Sequence, residues 1–114
     1  MTTSPRERRR APRARADFPI RLSPLGSATP ARLKDLSAIG LCCTTGQKIE
    51  EMTLVGIELQ LPGQPDRHAV QGAVVRCEPT RAQKGQYEVA VYFTEITDAA
   101  RSAVNAYVAQ GSPV

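Results

Sequence analysis

Short runs in which apolar and polar residues alternate one for one, each closed by turn residues, dominate this sequence and leave little choice of fold. Val55, Ile57, Leu59 and Leu61 alternate with Gly56, Glu58 and Gln60, and Pro62-Gly63-Gln64-Pro65 closes the run. A period of two puts one set of side chains on a buried face and the other in water, which is the pattern of a half-buried strand. Tyr87, Val89, Val91 and Phe93 repeat it. Phe18, Ile20 and Leu22 open the series, with Pro19 marking a strand start or a sheet edge. Ser23-Pro24-Leu25-Gly26-Ser27 reads as a turn, and residues 28–36 as a second strand. Ser37-Ala38-Ile39-Gly40 is a tight connection into a third strand over residues 41–45. Residues 68–77 read as a further strand with two candidate inward faces, Val70, Gly72 and Val74 or Ala69, Ala73 and Val75. Ala82-Gln83-Lys84-Gly85 is a loop.

The period changes once. Ala100, Ala103, Val104, Tyr107 and Val108 fall at helical spacing, Thr97 suits the N-cap, Asp98 favours the first turn and Gly111 suits the stop. The order is therefore an arm, about six strands and one helix, the helix running from residue 97 to about residue 110. The fold expected is mainly β: a small six-stranded antiparallel β-barrel whose C-terminal α-helix plugs an end or covers an edge. A chain of 114 residues suits one such domain. Its parts are a flexible tail over residues 1–8, an extended arm over 8–17, a barrel over 18–94 and the helix.

Charge is concentrated rather than spread. The formal net charge is +4. Arg6, Arg8, Arg9, Arg10, Arg13 and Arg15 face only Glu7 and Asp17 within residues 1–17, so that segment carries all of it. The rest holds nine basic and nine acidic side chains. The basic residues of the arm are all arginine, whose planar fork grips phosphate in bidentate fashion and stacks on flat rings. An anionic partner bearing phosphate or nucleobases is implied. Pro12 breaks any helix in the cluster, so the arm should be extended and mobile when free.

Two short motifs carry the chemistry. Arg9-Arg10-Ala11-Pro12-Arg13 is an RxxxR pattern preceded by Arg8, and Asp35-Leu36-Ser37-Ala38-Ile39-Gly40 is a DxSxxG pattern. Taken singly, the first is compatible with a solvated basic run and the second with an ordinary turn. Taken together, with Arg13 and Asp35 22 positions apart, they resemble the PilZ family, whose signature pairs RxxxR in an N-terminal arm with [DN]xSxxG at a strand junction. Phe18-Pro19-Ile20-Arg21-Leu22, Gly72-Ala73-Val74-Val75-Arg76, Tyr87 to Phe93 and the terminal helix extend the resemblance over about residues 6–109. One departure is Ala90, where many members carry glycine, outside the two motifs.

The resemblance implies a PilZ-like split barrel that binds the bacterial second messenger cyclic di-GMP and has no catalytic activity. The residue chemistry agrees. Guanine offers two acceptors on its Hoogsteen edge, matched by an arginine fork, and N–H donors on its Watson–Crick edge, matched by a carboxylate such as Asp35. The resemblance assigns phosphate and guanine to Arg9 and Arg13, and a base and nearby polar atoms to Asp35 and Ser37. Gly40 is expected to let the strand turn sharply and to leave room for a ring. Arginine before RxxxR is associated in the family with an intercalated ligand dimer, so Arg8 predicts two ligands per chain. The signal is expected to pass, through ordering of the arm, to an effector protein of unknown identity, no effector domain being present here.

Two other classes fit less well. A basic-armed barrel that binds RNA or DNA is permitted by the arginines, but the neutral body lacks a basic, aromatic-interleaved face. A ligand-independent interaction module would not need both motifs. An enzyme is not expected: His68 is the one histidine, and adjacent Glu50 and Glu51 point apart in an extended chain. Cys42, Cys43 and Cys77 are odd in number and two are adjacent, which suits neither a disulfide framework nor a metal site. No resident cofactor is expected. No apolar run reaches membrane-spanning length and no signal-peptide pattern is present, so the cytoplasm is the expected compartment.

Overall fold

The computed structural model describes residues 13–24 and 29–110. The elements described are β1 (Arg13–Arg15), β2 (Pro19–Pro24), β3 (Thr29–Ser37), β4 (Gly40–Thr45), β5 (Leu54–Gln60), β6 (Arg67–Pro79), β7 (Tyr87–Glu95) and α1 (Asp98–Gln110). The tail, residues 8–12 of the arm, the tip of the first turn and Gly111 lie outside the described residues.

All pairings are antiparallel, in the order β1-β3-β2-β5-β6-β7-β4, and β4 pairs back onto β3. That last pairing closes β2 to β7 into a six-stranded barrel, which removes the exposed edges an open sheet would leave. β1 is additional. One edge of β3 takes β2 at Thr29 to Arg32 and β1 at Asp35 to Ser37. Between them Ala16 N donates to Lys34 O (2.8 Å) and Leu33 N donates to Phe18 O (2.9 Å), so the edge stays hydrogen-bonded where the two strands meet. Part of the expected arm is thus already a strand. Ala14, fully buried, faces inward between exposed Arg13 and Arg15.

The alternating runs bury the expected sides. Val55, Ile57 and Leu59 of β5 and Val89, Val91 and Phe93 of β7 enter the core with Ile20, Leu22, Leu33, Leu36 and Leu41. On β6 the inward face is Val70, Gly72 and Val74. Gly72 is required there because a Cβ would lie 2.5 Å from Val91 Cγ1 and 2.8 Å from Tyr92 O. Cys43 sits in the core, where burial pushes its thiol up to about 12, so it behaves as a small apolar residue.

Thr97 caps α1, its Oγ1 accepting from Ala100 N at 3.1 Å, with Asp98 in the first turn. Ala100, Val104 and Val108, four apart, form the buried stripe. The helix lies against β1, β3 and β6. Phe18 and Tyr107 meet edge to face at 5.9 Å, and Tyr107 Oη donates to Arg15 O at 3.3 Å, so the end of the helix fastens the β1 segment. The helix touches β3 and β6, which stand opposite each other in the closed ring, and its buried stripe joins the barrel core, so it lies across one end, the first of the two placements expected.

Candidate functional site

The DxSxxG segment spans the end of β3, a tight turn and the start of β4. A register shift between Leu33 and Asp35 leaves Lys34 as an extra residue on β3. Such a bulge re-aims the side chains that follow it. Here Lys34 and Asp35 both lie on the outer face while Leu33 and Leu36 stay inside. Asp35 therefore stands on the barrel wall, its side chain 16% exposed, and Arg13 Nη1 donates to its Oδ1 at 2.9 Å. The two motifs meet in space.

Ser37 and Gly40 do different work from Asp35. Ser37 is buried at 1% exposure; its Oγ accepts from Ile39 N and donates to Gly40 O, both at 3.3 Å. That hydroxyl ties the turn. At Gly40 a Cβ would lie 2.4 Å from Val91 O, because β4 enters the sheet directly against the backbone of β7. The space expected for a ligand ring is filled by that carbonyl, and close backbone approach is what requires glycine here. Arg8 and Arg9 lie outside the described residues.

Asp35 and Arg13 line a cleft of about 550 Å³ together with Cys42, Val75, Arg76, Glu88 and Ala90. This size suits a small organic ligand. A larger groove of about 710 Å³ lies on the other side of Asp35, between β1, β3 and Tyr107, lined among others by Arg15, Arg32 and Lys34. Asp35 borders both. The smaller cleft is the better candidate because Arg13 opens onto it, whereas Arg32 in the larger groove is held by Asp17 at 2.5 Å.

Four outer residues form a cross-strand row through the cleft: Asp35 opposite Cys42, Cys42 opposite Ala90, and Ala90 opposite Arg76. Ala90 is thus part of the site although it lies outside both motifs. The outward set of β7 was implied once Val89 and Val91 were inward, but its neighbours from β3, β4 and β6 were not. Glu88 is bonded by Lys34 and approached by Arg76 Nη2 at 3.9 Å. The Lys34 hydrogen bond holds the Glu88 carboxyl below its ordinary range and the Lys34 ammonium above its own, with Arg76 adding to the effect on Glu88. Burial raises the Cys42 thiol, which keeps that side chain neutral at the middle of the cleft. Among the described residues no group of three or more His, Cys, Asp or Glu is placed to hold a metal ion, and no helix is long and apolar enough to cross a membrane.

The family model described as PilZ domain matches residues 7–110. No curated protein sequence matches the chain. Among solved structures, the Bacillus subtilis inhibitor of motility (MotI/DgrA) superposes with a TM-score of 0.80 at 15% identity over 90% of this chain, which spans 50% of that protein. The PilZ domain with c-di-GMP of YcgR from Escherichia coli superposes with a TM-score of 0.65 at 17% identity, covering 90% of each chain. At these identities the two structures establish the shared fold.

Proposed function

The chain belongs to the PilZ domain family, and we propose that it is a receptor for cyclic di-GMP that binds without catalysis and signals to a partner protein. The observation that carries this reading is the ion pair between Arg13 and Asp35, which joins RxxxR to DxSxxG on the wall of an open cleft. The YcgR domain, solved with c-di-GMP, supports the choice of ligand. Asp35 accepts from the Watson–Crick edge of one guanine, and Arg13 turns from Asp35 to a phosphate or a Hoogsteen edge. Arg9 supplies the second guanidinium of the motif as the arm closes over the ligand. Ser37 and Gly40 serve by fixing the turn that carries Asp35. Arg8 stacks on a second ligand, giving two per chain.

Isothermal titration of the chain with cyclic di-GMP tests the reading, with cyclic di-AMP and GTP as controls. Selective binding that drops at least about tenfold in Arg9→Ala, Arg13→Ala or Asp35→Ala is expected, each loss removing charge-assisted bonds of about 1.5–3 kcal/mol. A fitted stoichiometry near one would remove the role given to Arg8.

A ligand-independent interaction module is the second reading, and one feature favours it. Leu54, Ala73 and Tyr92 form an outward row across β5, β6 and β7, and Leu54 and Tyr92 are well exposed, as are Met52 and Val75. Titration without heat, together with an unchanged melting temperature at high ligand, would make this module the leading reading.

A further inference from the structure

The cleft has two charged ends, and only one belongs to a recognised motif. The row Asp35–Cys42–Ala90–Arg76 crosses four strands of the curved wall, so its ends lie at most about 14 Å apart at the backbone, three spacings of about 4.8 Å. A bulge delivers each end. The register shift at Lys34 sets Asp35 outward, and the shift between Val74 and Arg76 does the same for Arg76. Between them Cys42 and Ala90 are small, which keeps the middle of the cleft open.

Each end holds the same pairing of groups. At one, the Arg13 side chain (39% exposed) lies over the more covered Asp35 (16%). At the other, Arg76 (47%) lies over the more covered Glu88 (27%). Lys34 bonds Glu88 from the opposite side and keeps it ionised, so it remains an acceptor. Cyclic di-GMP has the matching duplication, with two guanines and two phosphates in a closed ring.

We propose that Arg76 and Glu88 form the second half of the ligand site, Glu88 accepting from the N–H groups of the second guanine and Arg76 holding a phosphate. This rests on the cyclic di-GMP reading above and extends it to residues outside both motifs. The 3.9 Å gap between Arg76 and Glu88 means that the guanidinium leaves no tight bond to reach a ligand. Val75 and Ala90 cover the apolar side of the rings, and a larger residue at position 90 closes the cleft.

The test uses the whole chain and two probes, cyclic di-GMP and the 3′,3′-linked cyclic GMP–AMP hybrid, in which one guanine is replaced by adenine. The hybrid seats its guanine at Asp35 and leaves adenine at Glu88, so wild-type chain should prefer cyclic di-GMP by about tenfold or more. Glu88→Gln should weaken cyclic di-GMP by about tenfold and bring the preference over the hybrid to within about threefold. Arg76→Ala should weaken both probes by a similar factor, leaving the preference intact. Both side chains are partly exposed, and melting curves check that the variants are folded. Wild-type binding with an unchanged preference in Glu88→Gln, or with full affinity in Arg76→Ala, would overturn the inference while leaving the receptor reading in place. Silence from the wild-type chain with every probe would remove the receptor reading, and the inference with it.

Discussion

Replacing Gly40 by alanine separates two accounts of the signature glycine. If the residue leaves room for a ligand, alanine costs binding and little stability. The geometry says otherwise. The new Cβ would meet Val91 O at 2.4 Å, with Tyr92 Cα and Val91 C both at 3.4 Å. These are backbone atoms of the partner strand, so no side-chain rotation relieves the contact. Restoring an ordinary separation of about 3.5 Å requires β4 to move from β7 by roughly 1 Å. That movement stretches the pairing of Gly40 with Tyr92 and Leu41 with Val91, and the bond from Phe93 N to Ile39 O at 2.9 Å.

Overpacking of this kind costs about 1–3 kcal/mol, and each weakened backbone bond adds about 0.5–1.5 kcal/mol. We expect Gly40→Ala to lose about 2–4 kcal/mol in urea unfolding and to melt roughly 10 °C or more below wild type. Gly63→Ala is the comparison. Nothing lies within 4 Å of its added Cβ, but its φ of +80° is left-handed, so strain alone costs about 1–2 kcal/mol. A Gly40→Ala chain within about 0.5 kcal/mol of wild type that no longer binds ligand would refute the packing account and return the glycine to the ligand.

Arg13→Ala should leave stability within about 1 kcal/mol of wild type while ligand affinity drops, because the Arg13–Asp35 pair is partly exposed; a stability loss beyond about 2 kcal/mol in urea would contradict this. Met52→Gly should raise stability by up to about 1 kcal/mol, since Met52 is exposed at a left-handed φ of 71°, and an unchanged urea midpoint would refute it. The Lys34–Glu88 pair should support stability at neutral pH and lose that support as pH falls below the ordinary glutamate value of 4.5, through the lowered value of Glu88, or rises above 10.5, through the raised value of Lys34; unfolding of Lys34→Met against pH should show a flatter profile at both limbs.

Much of the barrel was legible because one face of each strand is buried. β5 and β7 alternate cleanly, and the same alternation fixed which of their side chains enter the core. β6 was not decidable from its own residues, since small apolar residues stand on both faces; the close approach of Val91 and Tyr92 to Gly72 settles it from outside the strand. β1 offers a single apolar residue, Ala14, too little for any periodicity to register. The bulges at Lys34 and before Arg76 break the count of two without a sequence mark, so the convergence of Asp35, Arg76, Glu88 and Ala90 was hidden. The pairing of Arg13 with Asp35 was foreshadowed only by the two motifs taken together.

The position of β1 changes how the site would work. A wholly loose arm would have to order Arg13 on binding, and that cost would be subtracted from every contact the residue makes. In this fold Arg13 is placed by strand pairing: Arg13, Ala14 and Arg15 stand opposite Ser37, Leu36 and Asp35, Ala14 is buried, and Tyr107 bonds Arg15 O. Folding has already fixed the backbone that carries the guanidinium, and Asp35 holds its side chain near the cleft. The contact that a ligand gains from Arg13 is therefore offset chiefly by breaking the Arg13–Asp35 bond. Because Asp35 takes the N–H donors of a guanine in the same step, that bond is exchanged rather than lost. Arg13→Ala and Asp35→Ala should accordingly be non-additive in binding, each removing one partner of a single exchange. Fully additive losses in the double variant would mean that the two side chains act on the ligand independently.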